Sequence, residues 1–154
     1  MIELPMLAFK LTGNDEYIGL SINEVYGFPE EIAYGGGYGA KGTLEISVGS
    51  YYVHADHYFT TGELYTFLCQ LKKCYDSICG EAFLKNSEQE LQLKIFFEKT
   101  GKVIVSGKFQ EHQDVDTKLF FEMTTDQTAI STVIRELLNV YYSFGDEKGI
   151  SQRL

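Results

Sequence analysis

The chain has 154 residues, 44% of them hydrophobic and 23% charged, which suits one domain burying about 70% of its unfolded surface and argues against disorder. Its net charge of −9, with 13 Lys and Arg against 22 Asp and Glu, argues against nucleic acid or an anionic membrane as partner, because phosphate binding draws its affinity from cations. A basic protein would be steered towards such a surface.

Residues 4–11 read as a first strand, and Gly13, Asn14 and Asp15 as a turn. Over residues 17–26 the apolar set falls on even positions, Ile18, Leu20 and Ile22, the pattern of a half-buried strand. Residues 43–48 and 51–58 form the next pair around Gly49 and Ser50, a two-residue hairpin loop. Residues 61–78 change period: Leu64, Phe67, Leu68, Leu71, Tyr75 and Ile78 make the stripe of an amphipathic helix. Thr60 or Thr61 can cap it, Glu63 suits its positive end and Gly80 can end it.

A short strand at 81–85 follows, then strands around Leu91–Phe97, Val103–Phe109 and Leu119–Met123, with a polar loop at 110–117. Thr124 with Gln127 fits a capping box for a last helix whose stripe is Ile130, Val133, Ile134, Leu137, Leu138 and Tyr141. From Ser143 onward the period is lost, so residues 1–142 read as a single domain and 143–154 as a frayed tail. The predicted fold is α+β: an antiparallel sheet of about six to eight strands with two amphipathic helices packed against it.

The motifs that could carry chemistry fail on spacing. The glycine cluster of residues 34–43 places Gly42 after Lys41 where a phosphate loop needs Ser or Thr, and a strand rather than a helix follows it. A flexible hairpin loop or bulged strand entry fits better. His54 and Asp56 share a strand face that His57 does not, which leaves two ligands where zinc wants three or four; His112 sits in a loop beside Asp114 and Asp116. Cys69, Cys74 and Cys79 are odd in number and five residues apart, so they neither stack nor pair on a helix. Cys74 falls near the edge of the apolar stripe and the other two fall off it, as inert thiols of a reducing compartment. No catalytic residue, metal or cofactor is called for.

The acid has a location. From residue 11 to residue 71 eight carboxylates face one base, Lys41, so this segment carries −7 of the −9 and eight of the 11 tyrosines. Tyrosine anchors interfaces at low entropic cost, and carboxylates around it recruit Lys and Arg. The candidate binding residues are Asp15, Glu16, Glu24, Tyr26, Glu30, Glu31, Tyr34 and Tyr38.

Several stretches resemble the WapI-like immunity proteins: residues 62–71 with Tyr75, 80–84, 90–93, 101–107, 119–122 and above all Thr125-Asp126-Gln127 within 125–130. The resemblance spans roughly residues 40–140 and leaves the acidic, tyrosine-rich 11–40 mostly outside. It implies a small cytoplasmic antidote, not an enzyme, that neutralises a cognate toxin domain by direct contact. Many such toxins are nucleases with basic clefts, which an acidic antidote would occlude as a phosphate mimic. No basic-then-apolar start marks a secretory signal in residues 1–5, and no apolar run approaches the ~20 residues of a membrane span. Two competing readings stand beside it: a small enzyme or ligand-binding domain using His54, Asp56 and nearby carboxylates, and an oligomeric structural protein. The sequence does not set the oligomeric state.

Overall fold

The computed structural model describes residues 2–86 and 88–145. In chain order they form β1 (Met6–Thr12), β2 (Tyr17–Val25), β3 (Gly39–Val48), β4 (Tyr51–Thr60), α1 (Thr61–Ser77), β5 (Gly80–Lys85), β6 (Leu91–Phe97), β7 (Val103–Phe109), β8 (Leu119–Thr125) and α2 (Gln127–Phe144). The α+β class and the antiparallel strands follow the periodicity. What periodicity does not contain is their division into two four-stranded meanders, sheet A (β1-β2-β3-β4) and sheet B (β5-β6-β7-β8).

The division falls at α1. Thr60 is both the last residue of β4 and the helix N-cap: Glu63 N donates to its Oγ1 at 3.0 Å, and its own N donates to Glu63 Oε1 at 2.8 Å. This capping box contributes about 1 kcal/mol and turns the chain out of sheet A with no intervening loop. Ile78, not Gly80, ends the helix in the left-handed conformation (φ 53°), and Gly80 opens β5. At α2 the capping box predicted on Thr124 gives way to Asp126, whose carboxylate accepts from Ala129 N at 3.0 Å; Thr124 and Thr125 are still paired in β8. Helix α2 continues through Ser143 to the buried Phe144, with Gly145 as its C-cap, and so passes the predicted domain end at 142. The remainder of the predicted frayed tail, 146–154, lies outside the described residues.

The inner faces of both sheets and the stripes of both helices enter one apolar cluster, including Ile18, Leu20, Leu44, Phe67, Leu68, Ile95, Val105 and Val133. Phe9 of β1 meets Phe67 of α1 with ring centroids 5.9 Å apart. Because α1 packs against β5 and α2 at once, its buried face is wider than a single stripe. Cys69, predicted off the stripe, is buried for that reason, whereas Cys79 is exposed and lies past the helix end. Burial raises the pKa of the Cys74 thiol, with Cys79 and Glu81 adding to it, which suppresses its thiolate.

The glycine cluster serves close approach. Gly36 and Gly37 are buried, and a Cβ on Gly37 (φ +69°) would lie 2.1 Å from Gly62 N. Tyr38 N donates to Thr61 Oγ1 and Thr61 N to Tyr38 O, at 2.9 and 2.8 Å. The cluster therefore leads into β3 at Gly39, as the strand-entry reading expects, and in addition clamps the start of α1.

Candidate binding face

Alternation along β2, β3 and β4 sends every second side chain to the core and leaves the other face of sheet A to solvent. Cross-strand register then sets which outward residues meet. Gly19, Glu45 and His54 form one row, Tyr17, Ser47 and Tyr52 the next, and Glu24, Lys41 and Tyr58 a third.

Glu45 is the centre of this face. Its Oε2 accepts from Tyr17 Oη at 3.2 Å and from Tyr52 Oη at 3.3 Å, and its Oε1 lies 3.8 Å from His54 Nδ1. Partial burial and then the Glu45 carboxylate raise the pKa of both phenols, so they remain protonated donors. At the far end Tyr26 donates to Glu24 Oε2 at 2.6 Å; that bond, with partial burial, pushes its pKa up to about 12. The two lysines of the face are engaged: Lys10 Nζ lies 4.5 Å from the Tyr17 ring centroid, and Lys41 lies 3.9 Å from Asp56 Oδ2 and 5.7 Å from the Tyr58 ring. Gly19 and Ser21, with no bulk to offer, leave a shallow hollow of about 180 Å³ beside Glu45.

The predicted binding residues divide. Glu24 and Tyr26 stand on this face, and Glu30, Glu31 and Tyr34 are exposed on the loop 26–38 beside it. Tyr38 is a correction: it is 0% exposed, packs edge-on against Phe28 at 5.0 Å and donates to Pro29 O, so it supports the loop from beneath. Phe28 in turn meets Phe144 of α2 at 5.2 Å, which ties the loop to the core. Asp15 and Glu16 sit at the opposite end of β2, about 26 Å away at ~3.3 Å per residue, and Glu16 Oε2 accepts from Gly49 N at 2.9 Å, pinning one turn to the next. Tyr17, Glu45, Tyr52 and Tyr58 share this face with Glu24 and were not among the candidates read from the sequence. Their outward positions were readable from alternation, but their convergence was not.

His54 and Asp56 share the exposed face, as strand geometry requires, but engage separate partners, Glu45 and Lys41. His57 points inward: it is buried, stacked on Phe59 at 5.8 Å, and its Nδ1 lacks a hydrogen bond although Glu90 Oε1 is 3.7 Å away. Burial lowers its pKa to about 4 and raises that of Glu90. Among the described residues no three His, Cys, Asp or Glu side chains are grouped so as to hold a metal ion. No described helix is long and apolar enough to cross a membrane.

Comparison with known proteins places the chain as a whole in a class. The family described as "Immunity protein WapI-like family" matches residues 8–145. The matched range takes in residues 11–40, which the resemblance read from the sequence leaves mostly outside. No curated protein matches the chain. A chain in the solved structure described as "CdiA-CT/CdiI toxin and immunity complex from Enterobacter cloacae" is similar, with 13% identity, a TM-score of 0.44, and coverage of 79% of this chain and 99% of that one.

Proposed function

The chain belongs to the immunity protein WapI-like family, and from that premise we propose that it neutralises a cognate toxin domain by laying the open face of sheet A and the loop 26–38 against it. It acts by binding rather than by catalysis, in the cytoplasm. The observation that carries this reading is the Glu45 cluster, a carboxylate held by two tyrosine hydroxyls on a solvated sheet face. Ordered phenols and carboxylates on rigid strands cost little entropy to dock and offer paired acceptors to Lys or Arg.

The excess of acid on this side, Glu24, Glu45, Asp56, Glu30 and Glu31 against Lys10 and Lys41, supports a basic target surface. A nuclease cleft is one such surface, since it is built to hold phosphates. Co-expression with the toxin domain encoded beside this chain tests the reading. Growth rescue and a co-purifying complex are expected; loss of both would refute it.

A further inference from the structure

β4 is an outer strand of sheet A. In a two-residue hairpin the closing pair, here Val48 and Tyr51, exchanges hydrogen bonds, so the antiparallel alternation turns the peptide groups of Tyr52, His54, Asp56, Tyr58 and Thr60 away from β3. Two bonds agree with that direction: Asn86 Nδ2 donates to Tyr58 O at 3.1 Å, and Thr60 N donates to Glu63 Oε1 at 2.8 Å. The peptide groups of Tyr52, His54 and Asp56 have no hydrogen-bonding partner among the described residues. Beside them runs a groove of about 540 Å³ whose far wall is the end of β7 and the link to β8, with Phe109, Val115 and Leu119 supplying apolar surface.

We infer that this edge takes an extended segment of the toxin as a fifth strand of sheet A. The inference rests on the immunity reading and specifies how the partner is held. A wall of unpaired strand backbone beside an apolar wall fits an extended peptide, whose N–H and C=O groups complete the ladder. Side chains of an added strand alternate between faces. One set would lie on Phe109, Val115 and Leu119 and is apolar. The other would extend the open face beside Glu45 and Asp56 and is basic. Lys118 and Glu111 both line the groove and offset one another, so the carboxylates Glu45 and Asp56 draw the partner's cations to the open-face side. A second copy of this chain fits poorly, because it would bring another net charge of −9 to the same acidic edge.

The test uses the full chain and the toxin domain encoded beside it. Hydrogen–deuterium exchange at the amides of Tyr52, His54 and Asp56 should slow about tenfold or more on complex formation. His54→Pro removes an outward N–H that β3 does not use, which an edge strand tolerates, and should weaken the complex about tenfold or more with the melting curve preserved. Val115→Asp, outside any strand, should weaken it similarly and serves if the proline variant does not fold. A complex with unchanged exchange at these amides and full affinity in the variants would overturn the strand inference alone. No complex with the unaltered chain would overturn the immunity reading and this inference together. A free dimer that His54→Pro dissociates would reassign the edge to self-pairing and overturn the inference.

Discussion

Replacing His57 by Phe should change how stability depends on pH more than how large it is. His57 is buried against Phe59, Glu90 is the carboxylate facing it, and burial brings its pKa from the ordinary 6.5 down to about 4. Above pH 6.5 the imidazole is neutral in the folded and unfolded chains alike, and the protein has its full stability. Between pH 6.5 and 4 the unfolded chain takes up a proton that the folded chain refuses, so stability falls with pH; at about 1.4 kcal/mol per pH unit the loss reaches roughly 3 kcal/mol. Glu90, with its pKa raised by burial, runs the other way and loses its contribution as pH rises. The comparison with His57→Phe isolates the imidazole. At pH 7 the variant should be as stable as the parent or more so, because it removes a buried nitrogen without a hydrogen bond. By pH 4 it should exceed the parent by about 3 kcal/mol, a difference of roughly 6–12 °C in Tm for a chain of this length. Urea denaturation at half-unit intervals from pH 7 to 4 measures it. Parallel profiles for the two proteins would refute the argument.

Gly37→Ala should cost about 3 kcal/mol or more, combining a left-handed backbone with a Cβ that meets Gly62. Gly35→Ala, with the same sign of φ (+89°) but nothing within 4 Å of its Cβ, should cost only about 1–2 kcal/mol by the same denaturation assay. Glu24→Gln should return the Tyr26 phenol from about 12 towards 10, read by ultraviolet titration. Charge reversal at Glu30 and Glu31 should slow association with the toxin in stopped flow while leaving Tm within a few degrees, since both are exposed. Glu45→Gln should speed dissociation, because Tyr17 and Tyr52 lose the anion that orders them; unchanged dissociation would remove Glu45 from the interface.

What the sequence determined by itself was local. Strand and helix periods are properties of neighbouring residues, so Ile18, Leu20 and Ile22 marked β2, and the stripe from Leu64 to Leu71 marked α1, with no knowledge of partners. The concentration of acid and tyrosine before residue 71 was equally plain. Tertiary structure decided what those residues face. Hydrogen-bond register, which no single strand encodes, set Glu45 between Tyr17 and Tyr52 and placed Lys41 by Asp56. Packing on two sides buried Cys69, and the clamp on α1 carried Tyr38 inside with it. Asp15 and Glu16, near Glu24 in the chain, were moved to the other end of the sheet because an extended strand lengthens by about 3.3 Å with every residue. Alternation tells which way a side chain points; only the assembled sheets tell whether water, core or a neighbouring tyrosine is there to meet it.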